Sequence, residues 1–200
     1  MVFKLRLDRR TEEVRIPFFY DDFLSDVLAA VGASHALSLP FEVIVEGIPR
    51  LSPFRGRGRM IDLGRGRRLV DDSYNSSPKA LEAALKGLAA LPAKRRIAAL
   101  GDMLELGPEE IDFHRRAGKK VFEHGWDVLW AIGPLARYIA EGAVAAGLPA
   151  ARVRTFETSD EAAEAISSFI EEGDLVLVKG SRGIGTERLV ERLESDFKES

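Results

Sequence analysis

The chain has 200 residues, which at roughly 100–200 per domain leaves room for one domain, or one domain and part of another. Hydrophobic residues make up 46%, charged residues 30%, and the formal net charge is −3, which excludes a disordered or fibrous chain and a uniformly basic nucleic-acid binder. There is no cysteine, so disulfides, thiolate metal sites and a cysteine nucleophile are excluded; no apolar run approaches the ~20 residues of a membrane span, and MVFKLRLDRRTEEVR lacks the apolar core of a signal peptide.

Two short strands open the chain. Val2, Phe3, Leu5 and Leu7 alternate with polar residues, and Thr11-Glu12-Glu13 reads as the turn into Val14-Arg15-Ile16. Tyr20 to Leu37 has helical spacing through Phe23, Leu24, Val27, Leu28 and Val31, with Asp21 or Asp22 as cap. Pro40 opens a short helix from Phe41 to Gly47. Arg50 to Arg68 then holds seven arginines, four glycines and one acid, Asp62, and a boundary falls near Leu51–Pro53. Met60 to Leu63 and Arg67 to Val70 read as strands joined by Gly64-Arg65-Gly66.

From there strands and helices alternate. Ser77 caps and Pro78 opens a helix to about Leu91. Strands are expected at Arg96 to Leu100, Asp127 to Ile132, Val153 to Phe156 and Leu175 to Val178. Helices are expected at Pro108 to Glu123, Leu135 to Ala146, Ser159 to Ile170 (capped by Thr158 or Ser159) and Thr186 to about Phe197. This pattern predicts an α/β fold, Rossmann-like, with a mostly parallel sheet and flanking helices.

In such a sheet, ligands bind beyond the carboxyl ends of the strands. The residues there are Asp71 to Asn75, Gly101 to Glu105, Gly133-Pro134 and Lys179 to Gly183. Carboxylates, amides, one Lys and one Arg suit a polar ligand with ammonium and carboxylate or phosphate groups. Lys179 to Gly185, KGSRGIG, is either an anion cradle, with Arg182 gripping a carboxylate, or a tight strand–helix turn. Asp71 and Asp72 face opposite ways in a strand; they can bind ribose hydroxyls, an ammonium or a metal, or one can cap a turn through Ser73 and Asn75.

Other features favour structural roles. Asp102, Glu105 and His114 match no established metal-ligand spacing, so His114 reads as a histidine tied to a neighbouring loop. Trp126 and Trp130 read as core. The Arg/Gly run lacks interleaved aromatics, so it reads as a solvated hinge before it reads as an RNA surface. Neither a P-loop nor a strand–GxGxxG–helix unit occurs.

Taken together, Asp71-Asp72-Ser73-Tyr74-Asn75-Ser76-Ser77-Pro78, LGDMLELG at Leu100 to Gly107, His114 and Val178-Lys179-Gly180-Ser181-Arg182-Gly183 resemble the C-terminal domain of Mur ligases. LGDMLELG points to the branch that adds D-alanyl-D-alanine to UDP-MurNAc-tripeptide. The resemblance covers 53–200, the amino-substrate domain, while 1–52 resembles a small α+β remnant of the family's central ATPase domain. It implies a cytoplasmic, ATP- and Mg²⁺-dependent ligase of peptidoglycan synthesis. In it an acyl phosphate is attacked by an amine, and the central domain, which carries the P-loop, is a partner of this one.

By resemblance, Asp72, Arg57 and Asn75 are nucleotide-side residues, with Asp72 at the ribose. Lys179, Ser181 and Arg182 lie near the D-alanyl-D-alanine carboxylate. No residue is assigned a catalytic or metal-binding role. Ser76-Ser77 stands where the family has Ala-Asn, and Asp22-Phe23-Leu24-Ser25-Asp26 where it has His-Asn-x-x-Asn, so its adenine contacts have no equivalent here. Without a P-loop the chain is not expected to activate ATP alone. The alternative expectation is a non-catalytic nucleotide- or dipeptide-binding module that kept the fold; nucleic acid is not an expected partner.

Overall fold

The computed structural model of the protein describes residues 1–17 and 22–198. They form two compact units, Met1–Pro53 and Phe54–Ser200. The fold was legible in the alternating pattern, with one local correction in the first unit.

In that unit, β1 (Val2–Leu7) and β2 (Arg10–Arg15) pair antiparallel, and α1 (Asp22–Ala36) and α2 (Phe41–Gly47) follow. Leu5, Val14, Ile16, Val27, Val31, Ile44 and Ile48 make its core. The turn lies at Asp8 and Arg9, not at Thr11 to Glu13. Asp8 takes a left-handed φ of 54°, and the ladder sets Lys4 opposite Glu13 and Arg6 opposite Thr11. An opposite-charge cross-strand pair favours strand over turn for these residues. Leu28, expected on the apolar face of α1, is exposed, whereas Val27 and Val31 are buried. Tyr20 and Asp21 lie outside the described residues.

The second unit contains a six-stranded sheet. Its strands are β3 (Arg59–Asp62), β4 (Arg68–Asp72), β5 (Arg95–Gly101), β6 (Val128–Ile132), β7 (Val153–Phe156) and β8 (Asp174–Lys179). Their spatial order is β3-β4-β8-β5-β6-β7. Only β3 runs antiparallel, joined to β4 through the Gly64-Arg65-Gly66 turn. The other strands are parallel, with α3 (Pro78–Ala89), α4 (Glu110–Glu123), α5 (Ala136–Ala146) and α6 (Ser159–Phe169) crossing over between them, and α7 (Glu187–Lys198) follows the last strand.

Local chemistry sets the helix ends. Ser77 Oγ accepts the Ala80 N–H and Pro78 fills the first turn of α3; Thr158 caps α6 by accepting the Glu161 N–H; Gly147, at φ 122°, stops α5.

Strand alternation divides the core. Val176 and Val178 pack with Ile97, Trp130, Ile132 and the apolar faces of α6 and α7. On the other face α4 and α5 cross with almost no side chain between them. A Cβ on Gly118 would sit 1.9 Å from the Ile139 carbonyl oxygen, and one on Gly142 would sit 2.0 Å from that of Arg115. Trp126 and Trp130 are both core residues, and the Trp126 indole N–H donates to the Leu85 carbonyl.

Gly118→Ala should therefore destabilise the protein. In an open helix interior the change stabilises by up to about 1 kcal/mol. Here overpacking against backbone should cost about 1–3 kcal/mol, read as a lower denaturant midpoint.

Candidate functional site

The sheet register levels the strand ends. Asp72 pairs with Lys179, Lys179 with Leu100, and Gly101 with Ile132. The motif residues quoted from the sequence therefore lie side by side on one rim.

Asp71 and Asp72 do face opposite ways and do different work. Buried Asp71 accepts the Gly56 N–H at 2.9 Å and the Ser73 hydroxyl at 2.7 Å. It thereby holds the Gly56-Arg57 loop against the end of β4 and fulfils the turn-capping role through Ser73. Gly56 sits at φ +76°, and a Cβ there would meet the Tyr74 Cβ at 3.0 Å. Asp72 instead forms a buried ion pair with Lys179, Oδ2 to Nζ at 2.7 Å. Lys179 also donates to the Asn75 carbonyl oxygen at 3.0 Å, while the exposed Asn75 side chain accepts the Ser76 N–H.

Lys179 and Ser181 are thus both buried and engaged within the protein. The Ser181 N–H donates to the Asp102 carbonyl, and its hydroxyl oxygen accepts the Leu104 N–H, each at 2.9 Å. These bonds tie the end of β8 to the loop after β5. The approach is close: a Cβ on Gly101 would lie 3.2 Å from the Gly180 Cα and 2.8 Å from a Thr186 methyl. Arg182 begins a short 3₁₀ turn, Arg182–Ile184, and is exposed.

The loop after β5 has its own supports. His114 is fully buried; its Nε2 accepts the Met103 N–H at 3.0 Å, so its proton sits on Nδ1, 2.7 Å from the Glu110 carbonyl oxygen. It is tied to the neighbouring loop as the sequence suggested. Asp102 reaches across to α5, where its Oδ1 accepts the Ala136 N–H at 2.6 Å. Gly133, at φ +109°, makes room, since a Cβ there would lie 2.7 Å from that oxygen. Burial pushes the Asp102 carboxyl above the usual carboxylate range, with the Leu135 and Ala136 N–H groups pulling the other way. Among the described residues, no group of three or more His, Asp or Glu side chains could hold a metal ion.

Most arginines of the Arg/Gly run have partners within the protein. Arg55 pairs with Glu191, Arg59 with Glu194, and Arg65 with Glu172. Arg67 lies over the Phe197 ring, and Arg68 donates to the Pro92 carbonyl. Arg57 is different: its guanidinium lies 4.1 Å from the Tyr74 ring centroid, and that of Arg182 lies 5.5 Å from it. Among the described residues neither arginine pairs with a carboxylate. Tyr74 was missed in the sequence; an aromatic within the Asp71 to Pro78 motif was the available signal.

The rim offers exposed cations, Arg57 and Arg182, over a floor of internally satisfied polar groups. Such an arrangement can bind anionic groups and orient them.

The pattern of the family described as Mur ligase, glutamate ligase domain, matches residues 56–182. A UDP-N-acetylmuramoyl-tripeptide–D-alanyl-D-alanine ligase of Synechocystis is 33% identical over 169 residues, covering 84% of this chain and 36% of the relative. One of Bacillus subtilis is 30% identical over 179 residues, covering 89% and 39%. In structure, MurF from Acinetobacter baumannii matches all of this chain and 42% of its own, at TM-score 0.82 and 28% identity. MurF from Thermotoga maritima in complex with ADP shares the fold at TM-score 0.80 and 21% identity, over 99% of this chain and 44% of its own. The chain spans well under half the length of these relatives.

Two outcomes test the supports. His114→Leu should cost about 1–3 kcal/mol, because the buried Met103 N–H loses its acceptor, with faster amide exchange at Met103. Asp102→Asn should change the pH dependence of stability. Because the folded Asp102 pKa lies above the unfolded one, wild type loses stability as pH rises from the unfolded value through the folded value, and the Asn variant does not. Unfolding free energies from about pH 4 to about pH 7 should shift in favour of Asp102→Asn.

Proposed function

The chain belongs to the Mur ligase family through its glutamate ligase domain, and from that premise we propose that residues 53–200 are the amino-substrate domain of an ATP-dependent amide-bond ligase. The proposed reaction joins D-alanyl-D-alanine to UDP-MurNAc-tripeptide in the cytoplasm. Residues 1–52 are proposed to be part of the central ATPase domain. One observation carries the reading: the motifs at Gly56-Arg57, Asp71 to Pro78, Leu100 to Gly107 and Lys179 to Gly183 come together on one rim. The ligases of Synechocystis and Bacillus subtilis, at 33% and 30% identity, support the choice of branch.

Within this reading the roles divide by exposure. Arg57 is proposed to meet the nucleotide phosphates and Asp72 the ribose. Asp72 already has Lys179 at 2.7 Å, so Lys179 orients that carboxylate. Asn75 is proposed to lie on the nucleotide side beside them. Arg182 is proposed to meet the dipeptide carboxylate, with Lys179 and Ser181 shaping the loop that presents it. None of these residues is assigned to Mg²⁺. The family's reaction needs an acyl phosphate and an incoming amine; this chain's residues would bind and orient the amine's carrier.

The experiment mixes the chain with the ATPase half of a similar ligase, UDP-MurNAc-tripeptide, ATP and Mg²⁺, and follows phosphate release. Release should depend on D-alanyl-D-alanine. Arg182→Ala should raise the dipeptide KM by about 10-fold or more, as expected for a lost charged hydrogen bond of about 1.5–3 kcal/mol, and should change that of ATP much less. Dipeptide binding without stimulated release favours the non-catalytic module instead.

A further inference from the structure

Three loops meet at one exposed ring. Tyr74, 43% exposed, is held by its own N–H, which donates to the Gly56 carbonyl at 3.1 Å, next to Arg57. Arg182 arrives from the end of β8, where Ser181 is bonded at both its N–H and its hydroxyl. The two guanidiniums lie 4.1 and 5.5 Å from the ring centroid. Nearby Arg55 and Arg59 pair with the acids of α7, so the sequence is able to neutralise arginines here and leaves these two to the ring.

We infer that Tyr74 is a positioning residue that holds Arg57 and Arg182 together at the rim, making the nucleotide-phosphate end and the dipeptide-carboxylate end of the site interdependent. The inference rests on the ligand reading above. The ring face attracts both cations, and each cation repels the other. An anion on one guanidinium lowers the positive potential that the pair offers at the other. Anions at the two ends therefore weaken each other, by about twofold to fivefold at low salt and by less at ~0.15 M ionic strength.

The test uses the 200-residue chain, with inorganic pyrophosphate and D-alanyl-D-alanine as the two probes. NMR of the arginine Nε–H groups reports whether Arg57 and Arg182 lie on the ring, and titration of each probe with and without the other gives the coupling. In wild type both signals should be ring-shifted, and each probe should weaken the binding of the other. Tyr74→Leu should abolish the shifts, weaken each probe by about twofold to fivefold and remove the coupling. Tyr74→Phe should restore all three, which a loss through misfolding or through the hydroxyl would not do.

Unchanged affinities and coupling in Tyr74→Leu, absence of coupling in wild type, or equal damage in Tyr74→Phe overturns the inference and leaves the ligand reading standing. Failure of wild type to bind either probe while both signals remain ring-shifted overturns the ligand reading, and the inference with it.

Discussion

Where β4 and β8 end side by side, a lysine and an aspartate are buried together. Lys179 Nζ and Asp72 Oδ2 lie 2.7 Å apart, with side-chain exposures of 4% and 8%. Taking either charge out of water alone would be expensive, and removing one partner from such a pair typically costs about 3–5 kcal/mol. Each therefore holds the other in place. Lys179 extends the tie to the Asn75 carbonyl, so the turn after β4 is fixed to the end of β8. Asp71 fixes the same turn from the opposite face through Ser73 and carries Gly56-Arg57 with it. The positions of Arg57, Tyr74 and Asn75 follow from that pair of carboxylates.

A second set of ties orders the neighbouring loops. Ser181, Asp102 and His114 link the ends of β8 and β5 to α5 and α4. Glycines make this possible, because Gly101 approaches the Gly180 backbone and Gly133 leaves room for the Asp102 carboxylate. Most polar groups of the rim are consumed in building it. The side chains left exposed, Arg57, Arg182 and Tyr74, stand on a floor that cannot easily shift. Rigid support beneath a few exposed cations is what orienting an anionic substrate requires.

This division of labour separates residues that one motif places together. Lys179, Ser181 and Arg182 are near neighbours in sequence, yet the first two are buried and bonded while the third is exposed. The seven arginines between Arg50 and Arg68 divide in the same way. Arg55 and Arg59 answer the acidic face of α7 and Arg65 pairs with Glu172, whereas Arg57 turns to an aromatic ring. Composition alone treats these charges as equivalent; their partners make them different.

The sequence by itself determined the elements and the rim. Strand runs, caps such as Ser77 and Thr158, and the stop at Gly147 are local signals, carried within a few residues. The motif loops could be placed because strand ends in a parallel sheet share one side. The hairpin turn lies at Asp8 and Arg9 rather than at Thr11 to Glu13 because Asp8 adopts a left-handed conformation and Thr11, Glu12 and Glu13 find cross-strand partners. Only the tertiary structure decided that Lys179 belongs to Asp72, that α7 pairs with Arg55 and Arg59, and that Arg57 and Arg182 share Tyr74. Those choices follow from β8 inserting between β4 and β5, an order that hydrophobic periodicity does not encode and that brings together side chains more than a hundred residues apart.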